Sequence, residues 1–217
     1  MKERDTAEYI KRYTKRFEQY GYDPRTLGWG KGGRQDVRFK ALSEIGIGEN
    51  DSVLDVGCGF GDLARYLKDS GWKGAYTGID IVPVLIEEGL RRHPDLDLRV
   101  ADIQENPIDE TYDWVVGSGL FNAEISDNLS HIDDMLKRLF DLSVKGVACD
   151  FMSTRVDYRH PASFHLEPEK ALSLAASLSR RVVLRHDYMP FEFCLYVYRD
   201  DEVDPSSSLF KRYPAES

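Results

Sequence analysis

Residues 52–62 read Ser-Val-Leu-Asp-Val-Gly-Cys-Gly-Phe-Gly-Asp, and the fold follows from this stretch. Val53, Leu54 and Val56 form a short apolar run of the kind found in strands buried on both faces of a parallel sheet. Gly57, Gly59 and Gly61 follow, each separated by one residue. Behind them Phe60, Leu63, Ala64 and Leu67 fall at i, i+3, i+4 and i+7, which is one face of a helix. The order is strand, glycine turn, helix. Such a turn lets a ligand come close to the backbone, because glycine has no Cβ to hold it off. It also aims the free N–H groups at the helix start toward that ligand.

A dinucleotide-binding turn has G-x-G-x-x-G and sets a pyrophosphate on the helix N-terminus. Here the sixth position is Asp62, and Asp55 stands on the other side of the turn. The two carboxylates repel a phosphate but suit a ligand with an amine and a sulfonium. The run Asp55-Val-Gly57-Cys58-Gly59-Phe-Gly61 resembles motif I of class I S-adenosylmethionine-dependent methyltransferases. The resemblance covers about residues 34–199. It implies an α/β fold, a doubly wound, seven-stranded, mostly parallel sheet of order 3-2-1-4-5-7-6 with the last strand antiparallel and helices on both faces. It also implies S-adenosylmethionine as cofactor, with Gly57, Cys58, Gly59 and Gly61 around it.

Further along, residues 75–81 read as a second strand ending in Asp80-Ile81. An acid at that position hydrogen-bonds a ribose diol in doubly wound sheets. If Asp80 faces an empty cleft, its removal should weaken cofactor binding and leave the unliganded fold intact. Residues 97–103 read as a third strand ending in Asp102-Ile103, which the resemblance assigns to the adenine: the acid accepts from the exocyclic amine and the apolar side chain packs on the ring. A fourth strand over 112–119 places Ser118 and Gly119 at the cofactor. Gly117-Ser-Gly-Leu-Phe-Asn122 stands where amide- and adenine-N6-methylating relatives carry Asn/Asp-Pro-Pro-Tyr, and the Pro-Cys of cytosine-C5 enzymes is absent, so those chemistries are disfavoured. Helices are expected over 82–92, 127–141 and 168–180, the last opened by Pro168. A fifth strand follows over 146–152. Residues 181–189 and 191–199 form a hairpin around Met189-Pro190.

Three parts are expected along the chain: an N-terminal segment over 1–33, the main domain over 34–200 and a loose tail over 201–217. Residues 6–20 predict a helix capped by Thr6 and stopped by Gly21, with Ile10, Tyr13, Phe17 and Tyr20 on one face. That aromatic stripe either packs on the domain or serves as a lid. In the glycine-rich loop over 21–33, Trp29 covers the ligand or plugs a surface gap. A helix over 34–45 should turn Val37, Ala41, Leu42 and Ile45 inward. The resemblance puts Gln35 or Arg38 on the cofactor's methionine carboxylate, with a surface ion pair as the alternative.

Composition narrows the class. The formal net charge of −9 disfavours a nucleic-acid partner. Residues 1–40 nevertheless carry 11 Lys and Arg against 6 Asp and Glu: a basic arm for an anionic substrate, or a solvated helix surface. Cys58, Cys149 and Cys194 make no metal-binding or redox spacing and read as reduced, buried thiols. No metal site is expected. No apolar run is long enough to span a membrane, and Met1–Thr6 does not look like a signal peptide, so a cytoplasmic location is expected. The polar loop over 153–167 supplies Tyr158, His160 and His165 as candidate bases. The acceptor expected is the O or N atom of a small molecule: a sugar, lipid head group or secondary metabolite. The alternatives are an RNA or protein methyltransferase docking through the basic N-terminal segment, and a catalytically silent cofactor-binding module.

Overall fold

The computed structural model describes residues 3–29, 34–105, 108–159 and 163–211. In chain order the elements are α1 (Glu3–Tyr20), α2 (Arg34–Ser43), β1 (Val53–Val56), α3 (Asp62–Asp69), β2 (Tyr76–Asp80), α4 (Pro83–Arg92), β3 (Asp97–Val100) and β4 (Tyr112–Gly117). They continue with α5 (Asn128–Leu142), β5 (Ser143–Met152), α6 (Pro168–Leu178), β6 (Val182–Met189), β7 (Glu192–Tyr198), β8 (Val203–Asp204) and β9 (Leu209–Phe210).

The main sheet has the expected order, β3-β2-β1-β4-β5-β7-β6. Strands β1 to β5 pair in parallel, and β7 runs antiparallel to both β5 and β6. All four residues of β1 are buried, which its apolar run required. Alternate side chains feed two cores. Leu54 and Val56 join Ile132, Leu136 and Leu139 of α5 on one face. Val53 joins Leu63 and Leu67 of α3 and Leu42 of α2 on the other. After β1 the chain winds to β2 and β3 on one side, then crosses to β4 and β5 on the other. The ends of β1 and β4 therefore flank a crevice, where ligands bind in such sheets.

Several expectations need correction. Thr6 lies inside α1, which begins at Glu3; Gly21 does stop the helix, at φ 61°. The aromatic stripe packs: Ile10, Tyr13 and Phe17 meet Phe60, Val82 and Leu85 on α4 and the glycine turn. In α2, Val37 points out, and Arg38 and Phe39 are buried instead. Strand β3 ends at Val100, so Asp102 and Ile103 sit in the turn beyond it. The start of the tail is structured, because β8 and β9 pair as a short hairpin. No helix among the described residues is long and apolar enough to cross a membrane. All three cysteines are buried and unpaired.

Helix α4 tests how tightly the turn is wedged. A Cβ on Gly89 would lie 2.7 Å from the Phe60 carbonyl oxygen and 2.8 Å from Leu98. Alanine normally gains about 1 kcal/mol over glycine inside a helix. Overpacking against a backbone atom costs roughly 1–3 kcal/mol and outweighs that gain here. Gly89→Ala should lower the melting temperature by about 2–6 °C for a chain of this size. A rise on thermal denaturation would show that α4 floats freely on the turn.

Candidate functional site

Gly57, Gly59 and Gly61 all adopt left-handed backbone angles, with φ of 74°, 57° and 81°. That conformation is costly for residues with a Cβ. It turns a row of N–H groups toward the end of β2. Gly57 and Cys58 both donate to the Ile79 carbonyl, at 2.8 and 3.0 Å. Gly59 N–H donates to Asp80 Oδ2 and Val82 N–H to Asp80 Oδ1, each at 2.9 Å. Asp80 thus ties the turn to the neighbouring strand. It is 7% exposed, and burial pushes its carboxyl up to about 6. Asp55, also buried, accepts the Tyr76 hydroxyl at 2.7 Å. Burial pushes its carboxyl up to about 7. Asp62 accepts from Tyr22 Oη at 2.5 Å and Gln35 Nε2 at 3.4 Å, fastening the N-terminal segment to the turn.

Three clefts run in series over this turn. The first, about 50 Å³, is lined by Ile79, Ile81, Ile103, Phe121 and Met135 with Asp102 and Gln104 among them. It has the apolar walls and polar partners that a purine needs. His131 lines it too, and burial pushes its imidazole down to about 4, so the ring is neutral at pH 7. The second cleft, about 40 Å³, holds Gln35, Asp55, Cys58, Gly59, Ser118 and Gly119. It shares Tyr9, Gly57, Asp80 and Leu120 with the first, so Asp80 stands at their junction. The third, about 280 Å³, opens past Tyr13, Leu27, Trp29 and Gly119, which it shares with the second.

Most of the predicted binding residues converge. Trp29, Gln35, Asp55, Gly57, Cys58, Gly59, Asp80, Ser118 and Gly119 line the second cleft, and Ile81, Asp102 and Ile103 the first. Ser118 and Gly119 are held from behind: Ser118 Oγ and Gly119 N–H donate to Asp150 at 2.9 and 2.6 Å. Burial and the nearby Glu192 hold the Asp150 carboxyl above its ordinary range. Gly61 lines none of the three clefts. A Cβ there would meet Leu98 at 3.1 Å, so its role is packing.

Arg38 departs from expectation. It is 4% exposed and donates through Nε and Nη2 to Glu192, 154 positions away. Its guanidinium lies 4.0 Å from the centroid of the Trp29 ring and faces the third cleft. The ion pair it makes is buried rather than on the surface. The candidate bases are not gathered at the clefts either. Tyr158 is 73% exposed and His165 turns Nδ1 to the Ser163 carbonyl at 3.0 Å; neither lines any of the three. Helical and loop spacing place residues along the chain but not across it. His160 lies outside the described residues. Among the described residues of that loop it is Ser163 that reaches the third cleft. Sequence reasoning missed Tyr9 and Leu27 as lining residues. The aromatic stripe of α1 was the available signal for that wall.

Among the described residues no group of three or more His, Cys, Asp or Glu is arranged to hold a metal ion. Asp150 is buried in its bonds to Ser118 and Gly119, while Asp187 pairs with Arg185 at 3.0 Å.

Residues 53–142 match a family described as a methyltransferase domain. A putative methyltransferase of Mycobacterium tuberculosis, Rv1506c, is 29% identical over 153 residues, covering 67% of this chain and 92% of that protein. A putative methyltransferase of Invertebrate iridescent virus 6, 235L, is 33% identical over 98 residues, covering 44% of this chain but only 37% of its own length. The magnesium protoporphyrin IX methyltransferase of Synechocystis PCC 6803, crystallised with SAH, superposes with a TM-score of 0.63 at 15% identity, covering 88% of this chain and 99% of that one.

The bonds of Asp80 overturn the expectation that the unliganded protein would not notice its loss. Asp80→Ala leaves two buried N–H groups without acceptors, at roughly 1–3 kcal/mol each. Relief of the burial cost of the carboxylate offsets part of this. The ligand-free variant should melt about 3–10 °C below wild type by calorimetry. An unchanged midpoint would mean that the turn holds its shape without the carboxylate.

Proposed function

We propose that the chain is a class I S-adenosylmethionine-dependent methyltransferase and that it methylates an O or N atom of a small molecule seated in the third cleft. One observation carries this reading. The acid-lined cleft over the glycine turn and the 280 Å³ cleft meet at a single wall, formed by Tyr13, Leu27, Trp29 and Gly119. A donor over the turn and an acceptor in the larger cleft would be neighbours there, and they come into contact when Trp29 and Leu27 shift aside. The volume sits at the lower edge of the roughly 300–1,000 Å³ range of ligand pockets, which fits a small acceptor rather than a large one.

Bound over the turn, S-adenosylmethionine supplies a methyl group already activated on a sulfonium. The chain's own residues hold and orient. Asp102, Gln104 and Ile103 suit the adenine, and the Asp80 carboxylate retains lone pairs for a ribose diol. Gln35, Asp55 and Ser118 surround the methionine end. Alignment of donor and acceptor contributes up to roughly 7–11 kcal/mol in ideal cases. The first two clefts are narrow because the N-terminal segment presses in; Leu27 lies 2.9 Å from where a Cβ on Gly59 would stand. We take α1 and Trp29 to move outward to admit the cofactor and close again around it. Retained activity in EDTA is expected.

The test is transfer of a labelled methyl group from S-adenosylmethionine to a panel of small acids, amines, alcohols and phenols. Turnover with at least one is expected. Cofactor binding without turnover on any small acceptor, but with labelling of RNA or protein, would overturn the small-molecule reading.

The acidic turn adds a pH signature. Asp55 and Asp80 are partly protonated near neutrality, and a cation nearby favours their ionised forms. Cofactor binding should release protons and tighten as pH rises from about 5 to 7.5. The ligand-free protein behaves oppositely: the raised carboxyls disfavour the fold as pH rises through 6 and 7 and relieve it toward pH 4. Calorimetry in two buffers of different ionisation enthalpy should find about one proton released near pH 6.5, reduced in Asp55→Asn. A pH-independent affinity would show that these acids stay ionised when the site is empty.

A further inference from the structure

The third cleft carries a charge pattern unlike the rest of the molecule. Arg12 and Arg16 of α1, and Arg34 and Arg38 of α2, line it, against one carboxylate, Glu192. Four guanidinium groups against one carboxylate leave a formal excess of three positive charges in a chain whose net charge is −9. Glu192 is committed to Arg38 Nε and Nη2. Among the described residues no carboxylate forms an ion pair with Arg12, Arg16 or Arg34.

The buried member of the group is incomplete. Arg38 is 4% exposed, yet its Nη1 has no hydrogen-bond partner. Across the same cleft the buried Oδ1 of Asn122 is also without a partner. A buried unpaired donor costs roughly 1–3 kcal/mol and more on a charged group, so such atoms are normally satisfied. Two of the remaining three guanidinium groups lie near aromatic rings: Arg16 is 5.9 Å from the Tyr13 centroid and Arg34 5.7 Å from that of Phe191. Helix α2 begins at Arg34, so the partly positive end of its dipole lies at the same wall.

We propose that this cleft is an oxyanion site, and that the methyl acceptor carries a carboxylate or phosphate-type group docked on these arginines. The proposal rests on the small-molecule reading above and specifies its substrate class. The planar guanidinium fork matches both oxyacids. Arg38, locked by Glu192 and stacked at 4.0 Å on Trp29, presents its remaining donor in a fixed direction. Arg12, Arg16 and Arg34 close over the anion from the N-terminal side. Asn122 Oδ1 is left to accept from a hydroxyl or amine elsewhere on the acceptor.

The test uses the full chain saturated with S-adenosylhomocysteine, titrated by calorimetry with inorganic phosphate, benzoate and neutral benzamide at constant ionic strength. Binding of phosphate or benzoate, with benzamide at least tenfold weaker, is expected; which anion binds more tightly identifies the oxyacid. Arg34→Gln and Arg12→Gln should each weaken that binding about fivefold or more. Both sites lie on exposed helix surface, so folding is preserved, and S-adenosylhomocysteine affinity should stay within twofold. Equal binding of benzamide and the anions, no binding of either anion, or anion binding unchanged in both variants would overturn the proposal. Failure of S-adenosylhomocysteine itself to bind would instead overturn the cofactor assignment beneath it.

Discussion

The two hydrogen bonds accepted by the Asp80 carboxylate, from Gly59 and Val82, set the shape on which the rest of the site depends. The first joins the glycine turn after β1 to the end of β2, and the second holds the carboxylate in place from the residues just beyond that strand. Without this tie, the three left-handed glycines would be held to β2 only by the bonds of Gly57 and Cys58 to the Ile79 carbonyl. With it, the turn becomes a rigid floor. Helix α4 packs on that floor through Gly89, and α1 packs on α4 and on Phe60. The N-terminal segment is thereby held over the clefts by the same turn that forms their base.

Charge divides the site into two halves. Over the turn the protein buries Asp55 and Asp80 with carboxyls raised by desolvation, an arrangement that costs stability and is relieved by a cation. Past Trp29 and Gly119 it gathers arginines around one committed carboxylate. Asp150 stands behind the dividing wall and fixes Gly119 and Ser118 by two hydrogen bonds. The acidic half favours a cationic donor, and on the proposed reading the arginine half favours an anionic acceptor, the two clefts adjoining at Tyr13, Leu27, Trp29 and Gly119.

The parts of the structure that obey local rules could be read from residue order. The run at Val53–Val56, the three glycines and the acid at Asp80 are consecutive or near-consecutive signals, and each strand end fell within a few residues of its expected place. What escaped the reading depends on contacts distant in sequence. Nothing near Arg38 announces Glu192, yet that partner buries the side chain and turns Val37 outward. The loop over 153–167 was expected to bring Tyr158 and His165 to the chemistry. Its path instead exposes Tyr158 and delivers Ser163, because the isolated bridges Ser153–Leu166 and Ala123–Ser163 set its course. The strand over 97–103 stopped short because its last residues turn away to form the wall of the first cleft.

A structure of the protein crystallised with S-adenosylhomocysteine would examine the arrangement as a whole. The adenine should lie between Ile81 and Ile103, the ribose hydroxyls on Asp80, and the thioether sulfur should face the wall at Trp29 and Gly119. The arginine-lined cleft should remain open beyond that wall. Density for the ligand in the arginine cleft, or a ribose held away from Asp80, would contradict the division of the site described above.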